Sequence, residues 1–343
     1  MRAQKLWISA ALFSFVMASF SARADLVVLQ YHHISDATPP STSTSVSLFQ
    51  AQLNEVRELG IDVVDLHSAL KDLFSDHPSQ DQRIAITFDD AYESVYSQGA
   101  EILRKRGLPY TIFVDTAAVG NRGYMTWKQL KELAERDGVE IANHSAGHGH
   151  MARKNGETEA DWNERITHSL DSAQAELAQK LGTNSPLFAY PYGEFDEALE
   201  AEVAKRGWYG FGQQSGAVGS LSGNTRLPRF PMANAYGQLN GLKDKLMSKA
   251  FPIDTRKLPD GIVAANPPTL ILPVTENIEP GNLTCFASGM GRINFKRVDD
   301  TITIKAPRAF NSRRFRYNCT HPDGDGHFYW LSQPWLDLSK PED

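Results

Sequence analysis

The sequence predicts an α/β protein in which a parallel barrel of strands and helices precedes a small all-β sandwich. Residues 25–250 alternate short apolar runs with longer segments of helical periodicity, the order expected of a parallel sheet with helices outside it. Polar and glycine-bearing segments follow five or more of the apolar runs, and a parallel barrel brings that many strand ends to one site. After residue 250 the chain changes to short alternating runs separated by Gly, Asp and Pro, at the spacing of a sandwich.

The elements of the first region follow from hydrophobic periodicity. Each predicted strand is a short apolar run, and each predicted helix has apolar residues at intervals of three and four. Gly107-Leu108-Pro109 is a typical helix stop. The predicted strands are residues 26–29, 62–66, 83–88, 111–114, 139–142 and 187–190. The predicted helices are residues 49–59, 92–106, 127–136, 159–181 and 195–206.

The N-terminus has the pattern of an export signal. Arg2 and Lys5 precede an apolar run over residues 6–20, and Ser21-Ala22-Arg23-Ala24 follows, with small residues at the two positions that a signal peptidase reads. This pattern predicts a secretory signal peptide over residues 1–24 and an exported protein, periplasmic or secreted. An uncleaved anchor is the alternative, but the run is short for a membrane span of ~20 residues. No other stretch is long and apolar enough to cross a bilayer, so we expect no stable membrane anchor.

The charge of the chain excludes one class of partner. The sequence has 35 basic and 41 acidic residues and a formal net charge of −6. Loss of Arg2, Lys5 and Arg23 with the leader leaves 32 basic residues and a charge of −9. An acidic protein is a poor ligand for nucleic acid, whose phosphates demand a basic surface. A neutral or cationic glycan is the better fit, and the sequence leaves the oligomeric state open.

The last part of the chain predicts a linker and a C-terminal β domain. Residues 25–250 form the predicted first domain, residues 251–268 are Pro-rich and irregular, and residues 269–343 form the β domain. An exported chain with two cysteines, Cys285 and Cys319, predicts one disulfide. The predicted strands here are residues 270–274, 283–287, 293–298, 301–305, 315–318 and 328–331.

Two adjacent carboxylates end one of the predicted strands, in Thr87-Phe88-Asp89-Asp90. Neighbouring side chains of a regular strand point to opposite faces, so both acids reach one cavity only where the strand breaks. There they can divide two roles, one holding a cation and one handling protons. Two acids in a solvent-exposed turn are an equally good explanation of this segment taken alone.

Two histidines follow another predicted strand, in His144-Ser145-Ala146-Gly147-His148. Two neutral imidazoles and one carboxylate make a facial metal site with open positions, suited to Zn²⁺ and similar ions. Taken alone, a histidine pair at this spacing more often lies on the protein surface or on a helix face and binds no metal. Its combination with Asp89-Asp90 at a second strand end favours the metal site.

Three further polar segments lie at predicted strand ends. They are Phe188-Ala189-Tyr190-Pro191-Tyr192-Gly193, Arg226-Leu227-Pro228-Arg229-Phe230-Pro231 and Tyr31-His32-His33. With the two segments above, in this order, they resemble the polysaccharide deacetylase family, also called the NodB-homology or carbohydrate esterase 4 family. The resemblance covers residues 26–250 and is closest to the branch that acts on poly-N-acetylglucosamine. It implies a distorted barrel with fewer than eight strands.

The resemblance also implies a cofactor and a reaction. Asp90, His144 and His148 would hold a divalent metal, zinc in the first place, with cobalt, nickel or manganese as alternatives. Asp89 would be the general base, and His32 the general acid that protonates the departing amine. The implied activity is removal of N-acetyl groups, as acetate, from an acetylated amino-sugar polysaccharide that resembles poly-N-acetylglucosamine or chitin.

The resemblance implies substrate contacts as well, with two departures from the family pattern. Pro191 and Tyr192 would contact the substrate, the Tyr192 N–H at the oxyanion, and Arg229 is grouped with them. Many members have an arginine at the position of Ala189 that orients the catalytic aspartate, and Arg229 is the candidate replacement. A late Leu-x-His segment that carries the acid in many members is absent here, which moves that role to His32.

Competing interpretations remain for single residues and for the whole protein. His33 and His150 are the other candidates for the acid. An O-acetyl esterase acting on xylan-like polymers would share the fold and the metal, and a glycan-binding protein without activity would share the fold. A glycosidase using Asp89 and Asp90 has no need of the histidines, and sequence neighbours rarely flank a bond at the required separation.

Overall fold

The structure is a computed structural model that describes residues 25–154 and 156–342. The predicted signal peptide, residues 1–24, lies outside the described residues. In the first region the strands are β1 (Leu26–Tyr31), β2 (His33–Ile34), β3 (Ser43–Thr44), β4 (Asp62–Val63), β5 (Arg83–Asp89), β6 (Tyr110–Val114), β7 (Val139–Asn143), β8 (Leu187–Ala189), β9 (Tyr209–Phe211) and β10 (Phe230–Pro231). The α-helices are α1 (Val46–Glu58), α2 (Leu66–Leu73), α3 (Ala100–Arg106), α4 (Trp127–Ala134), α5 (Glu159–Leu181), α6 (Glu197–Lys205) and α7 (Leu242–Leu246).

Seven parallel strands form one curved sheet in the order β10-β1-β5-β6-β7-β8-β9. The short strand β4 also pairs with the beginning of β5, but it lies outside this order of seven strands. The two ends of the row meet at Leu227, whose N–H donates to the Gly210 carbonyl at 2.8 Å and whose carbonyl accepts from the Gly212 N–H at 3.0 Å. The predicted α/β fold, a distorted barrel with fewer than eight strands in its row, is therefore confirmed.

The sequence explains why the central strands lie inside. All six residues of β1 and all seven of β5 are buried, as expected for parallel strands covered on both faces. The long helix α5 buries Trp162, Ile166, Leu170, Ala173 and Leu177, which lie three or four residues apart on one face. No helix among the described residues is long and apolar enough to span a membrane.

Three local predictions differ from the structure. The predicted strand 62–66 is only the two residues of β4, because Asp65 caps α2 by accepting from the Ser68 N–H at 2.8 Å. The predicted helix 92–106 contains a π-helical turn, Val95–Gly99, before α3 begins. Strand β9 is absent from the prediction because three residues with a central glycine carry too little periodicity.

The C-terminal region contains two further sheets. Its strands, with one that precedes it, are β11 (Lys249–Ala250), β12 (Thr269–Pro273), β13 (Thr284–Ala287), β14 (Gly291–Ile293), β15 (Phe295–Val298), β16 (Thr301–Lys305), β17 (Arg314–Pro322) and β18 (Phe328–Leu336). One sheet has the order β11-β18-β17-β13-β14 and the other β12-β16-β15. Both sheets contribute to one apolar core, as in a sandwich. The predicted strand 293–298 is divided between the two sheets.

The predicted disulfide is confirmed. Cys285 of β13 lies directly opposite Cys319 of β17, with their Cα atoms 4.1 Å apart, and the two sulfurs are bonded. The disulfide therefore covalently links two neighbouring strands in the middle of the larger C-terminal sheet.

The first region and the C-terminal sheets are joined at β11. This strand pairs in parallel with Tyr329 and Trp330 of β18, and its Ala250 N–H donates to Asp25 Oδ2 at 3.0 Å. The Trp330 ring packs edge-on against Phe230 of β10, with centroids 5.1 Å apart. The start of the barrel, its last strand and β18 therefore meet at one place.

Candidate active site

Three potential metal ligands converge at the carboxyl ends of β5 and β7. Asp90 follows β5, and His144 and His148 lie in the loop after β7. The Asp90 Oδ1 atom is 3.3 Å from the Nε2 atoms of both His144 and His148, and one donor atom from each residue lies within 4.8 Å of the others. Ligands ~2.0–2.2 Å from a common ion lie about 3–3.5 Å apart, so the separations from Asp90 suit one ion.

Backbone strain marks the same place. Among the described residues, six that are not glycine have positive φ, and five lie at this end of the barrel. Left-handed backbone is costly for side chains with a Cβ and persists where the surrounding structure demands it. At Asp90 it breaks the strand, so that Asp89 and Asp90 both face the site. The five residues are Asp90, Ala91, Ser145, His148 and Tyr192.

The two imidazoles have the chemistry that a metal requires. The Nδ1 of His144 lies 2.7 Å from the Ala189 carbonyl oxygen, which only accepts, so Nδ1 carries the proton and Nε2 keeps its lone pair. The Nε2 atom is buried and has no hydrogen-bond partner among the described residues. Burial lowers the pKa of His148 to about 4, which keeps its imidazole neutral at neutral pH. The residues fit a divalent cation.

Asp89 is held in a closed polar cage. Its side chain has no exposed surface, and Gln30 Nε2 donates to Oδ2 at 2.7 Å. Arg229 donates from Nη1 to Oδ1 at 2.7 Å and from Nη2 to Oδ2 at 2.9 Å. Burial raises the pKa of Asp89, but the charge and the hydrogen bonds of Arg229 outweigh it and lower the pKa to about 2. Asp89 is therefore an oriented carboxylate at neutral pH.

The position of Arg229 corrects its grouping with the substrate-binding residues. Its side chain is completely buried, and besides Asp89 it donates to the Gly212 carbonyl at 2.9 Å and to Thr87 Oγ1 at 3.3 Å. A substrate has no access to a guanidinium enclosed in this way. Arg229 instead holds Asp89 from the residue directly before β10, whereas Ala189 ends a different strand, β8.

The three candidate acids lie in different surroundings. His32 Nε2 is 3.9 Å from Asp89 Oδ2, so it faces the carboxylates. The His33 ring stacks on Tyr92 with centroids 3.6 Å apart, and its Nδ1 lies 3.4 Å from Ser94 Oγ. His150 is buried with its Nδ1 2.9 Å from Glu194 Oε2. Of the three, His32 is the one beside Asp89.

Tyr192 forms the wall between the metal ligands and the C-terminal region. Its ring centroid is 4.6 Å from that of His148 and 4.0 Å from that of His150, on which it stacks with an interplanar angle of 2°. The Arg314 guanidinium lies 5.1 Å from the same ring. Pro191, just before it, is buried. Tyr192 is thus close enough to the ligands to line a substrate site there.

A buried carboxylate ties this wall to the C-terminal sheet. Glu194 is 3% exposed and accepts from Arg313 Nε at 3.0 Å and from Arg314 Nη1 at 3.1 Å, in addition to its contact with His150. Burial raises the pKa of Glu194, but Arg313 and His150 outweigh it and lower the pKa. Residues more than a hundred positions apart therefore hold one loop of the site.

Sequence reasoning missed several residues of this site. Gln30 is the fifth of the six residues of β1 and carries no signal of its own, although it directly precedes the Tyr31-His32-His33 segment. Asp115 lies after β6 and accepts from the Gly147 N–H at 2.6 Å, which fixes the loop between the two histidines. The signal that points to Asp115 is its position, because it is a carboxylate directly after a buried strand, like Asp89-Asp90. Glu194 and its arginine partners carry no local signal.

The arrangement joins four chemical functions. Three residues can hold a cation, a buried carboxylate is locked beside them, an imidazole faces that carboxylate, and an aromatic wall borders the ligands. A cation that polarises a carbonyl, next to a base and an acid, is the set that hydrolysis of an unreactive amide or ester needs.

Comparison with known proteins agrees with this chemistry. Residues 76–210 match the sequence model of the polysaccharide deacetylase family. The YxkH protein of Bacillus subtilis is 26% identical over 190 residues, covering 54% of this chain and 63% of that protein. A poly-beta-1,6-N-acetyl-D-glucosamine N-deacetylase of Escherichia coli is 25% identical over 245 residues, covering 61% of this chain and 36% of that protein. The chain thus spans less than two thirds of the length of these relatives.

A solved structure shares the fold. The deacetylase PplD of Streptococcus pyogenes, in complex with acetate, superposes with a TM-score of 0.55 at 21% identity, covering 62% of this chain and 94% of that one. At this identity the likeness establishes the fold, and the matched segment contains Asp89, Asp90, His144 and His148. Residues 76–210 of this chain are therefore similar in sequence to the polysaccharide deacetylase family, and the chain shares the fold of PplD.

Proposed function

We propose that the protein is a metal-dependent N-deacetylase that hydrolyses acetamido groups of an amino-sugar polysaccharide and releases acetate. The convergence of Asp90, His144 and His148 beside the caged Asp89 is the observation that carries the proposal. The polymer is of the poly-N-acetylglucosamine or chitin type. The name of the Escherichia coli relative and the acetate in the PplD complex support this class of substrate and product.

The metal is a divalent cation, zinc in the first place, with cobalt, nickel or manganese as alternatives. Two imidazoles and one carboxylate are a ligand set that zinc accepts while keeping positions open for water and substrate. When bound, the cation polarises the acetyl carbonyl and lowers the pKa of water. Asp90, His144 and His148 would hold it.

The chain's own residues supply the proton transfers. Asp89 accepts the proton of the attacking water, and Arg229 and Gln30 keep its carboxylate ionised and aimed. The backbone N–H of Tyr192 donates to the oxygen that gains negative charge. His32 protonates the sugar nitrogen as the bond to the acetyl carbon breaks, because a free amide anion is too basic to leave. The products are acetate and an amine.

The setting of this activity is outside the cytoplasm. The predicted signal peptide, the disulfide and the acidic charge suit an exported enzyme, periplasmic or secreted, that acts on a neutral polymer. The polymer is its partner, and nucleic acid and a stable membrane anchor have no part in the proposal.

One experiment tests the function and its alternatives. Acetate is measured with β-1,6- and β-1,4-linked N-acetylglucosamine oligomers and acetylated xylan, with and without chelator, and after adding back zinc, cobalt, nickel or manganese. We expect chelator-sensitive release from an amino-sugar oligomer. Faster release from xylan would assign an O-acetyl esterase. New reducing ends without acetate would assign a glycosidase, and binding without turnover a glycan-binding protein.

A further inference from the structure

A cavity of about 150 Å³ lies between the barrel and the C-terminal sheets, next to the proposed active site. On the barrel side it is lined by residues 192–195 and 213–214, and on the other side by residues 314–316 and 334–336. Tyr192 belongs both to this cavity and to the wall beside His148. The cavity therefore begins where the proposed acetamide site ends.

The lining of the cavity contains an arginine with hydrogen-bond donors to spare. Arg316 donates from Nη1 to the Gln213 carbonyl at 3.0 Å. No carboxylate of the described residues lies within 4.0 Å of it. A guanidinium has five N–H donors, so Arg316 is suited to bind a polar ligand in the cavity.

The charge around the cavity is positive, although the whole chain is acidic. Arg314 and Arg316, at one end of β17, line the cavity together with one carboxylate, Glu194, which accepts from Arg314. The other walls are aromatic rings and amides, the combination that binds sugar faces and hydroxyls. Oxygen atoms that accept hydrogen bonds are favoured here, whereas an ammonium group is repelled.

We propose that this cavity is a glycan subsite for an N-acetylated sugar adjacent to the one being deacetylated, and that it rejects a neighbour whose amine is already free. The inference rests on the proposed function and adds a specificity to it. An acetamido group offers a carbonyl oxygen to Arg316, but a free amino group of glucosamine is protonated near neutral pH. Compared with ligand pockets of ~300–1,000 Å³, the cavity accommodates part of one sugar, not a longer stretch.

Binding of defined oligomers tests the subsite without relying on turnover. Calorimetry compares the tetramer of N-acetylglucosamine with the tetramer of glucosamine on the full chain. We expect the acetylated tetramer to bind more tightly. Arg316→Met, which removes every donor of this side chain, should weaken that binding roughly tenfold, as for one hydrogen bond to a charged group.

Two further variants separate the subsite from general damage. Arg316→Lys keeps the positive charge but removes the planar set of donors, so it should also weaken binding of the acetylated tetramer. Arg292→Met is the matched control, because Arg292 is an exposed arginine of β14 in the same sheet and does not line the cavity. Thermal unfolding of each variant shows whether it is folded.

Turnover supplies the second measurement. Trimers with an acetylated central sugar and either acetylated or free-amine neighbours are compared by KM and kcat. We expect a lower KM with acetylated neighbours, and Arg316→Met should erase that preference. Unchanged tetramer binding and unchanged preference in both folded cavity variants would overturn the subsite, even if the wild type releases acetate. Equal or tighter wild-type binding of the glucosamine tetramer would overturn it too, whether or not acetate is released.

Discussion

Replacing Arg229 by methionine tests the positioning of the proposed base. The change removes one member of an ion pair in which both side chains have no exposed surface. Removing one partner of a buried pair leaves the other charge uncompensated, which costs about 3–5 kcal/mol in the free energy of unfolding. Without the positive charge of Arg229, burial raises the pKa of Asp89. The carboxylate is then less ionised, and it has lost the side chain that orients it.

The assay combines denaturant unfolding, metal content and acetate release at pH 7. We expect the Arg229→Met protein to lose the stability estimated above and to retain its metal. Its kcat should fall roughly 10²-fold or more, the usual fall in rate when a general base is disabled. The pKa of Asp89 is lowered from 3.8 to about 2, so the pair stabilises the fold above pH ~4 and loses that effect towards pH 2. The difference in stability between the two proteins should narrow over that interval.

A matched control lies three residues earlier in the chain. Arg226 forms a two-pronged pair with Glu200 that is partly buried and remote from the metal ligands. Arg226→Met should lower stability without lowering kcat. In a double-mutant cycle, adding Asp89→Asn to Arg229→Met should recover part of the lost stability, because both charges are gone. A cost below 1 kcal/mol for Arg229→Met, or no recovery in the cycle, would refute the reasoning.

Four other substitutions test single roles. His148→Ala should abolish metal retention and acetate release together, whereas the exposed His168→Ala should do neither; an active, metal-loaded His148→Ala protein would contradict the ligand set. Asp89→Asn should keep the metal and lose roughly 10²-fold or more in turnover, and loss of the metal instead would reverse the roles of the two aspartates. His32→Ala should lose most turnover on N-acetyl substrates but much less on an acetyl ester with a good leaving group; equal losses would reassign the acid. Cys285→Ser should lower the free energy of unfolding by about 4 kcal/mol in the chain-entropy model, with metal binding retained, and an unchanged unfolding midpoint would show that the bridge stabilises little.

The sequence predicts the segments that carry the metal ligands because charged or imidazole side chains directly follow an apolar strand in each of them. In β5, seven buried residues end in two adjacent acids, and β7 ends directly before His144. Apolar periodicity also predicts α5 with both of its ends, because Thr158 and Gly182 are strong capping residues. These strand ends and helix caps depend on residues that are close in the sequence, so a sequence pattern is enough to predict them.

Other parts of the site depend on contacts that no local pattern encodes. Gln30 is one more buried residue in β1 until the fold places it 2.7 Å from Asp89. Glu194 meets Arg313 across 119 residues of chain. The segment 293–298 is one predicted strand, but tertiary packing divides it between two sheets. In these places the three-dimensional arrangement, not the sequence pattern, selects the partner.

The pairing of Lys249–Ala250 with β18 determines how the protein comes apart. The chain enters the second sheet before the predicted linker begins, and Ala250 is bonded at the same time to Asp25 beneath the first strand. Neither half can then melt without exposing an edge of the other, so heating should give a single calorimetric transition with equal van't Hoff and calorimetric enthalpies. A chain cut after residue 250 would lose the partner of its final strand and leave Phe230 uncovered. The C-terminal sheets and the barrel are therefore expected to unfold together as one cooperative unit.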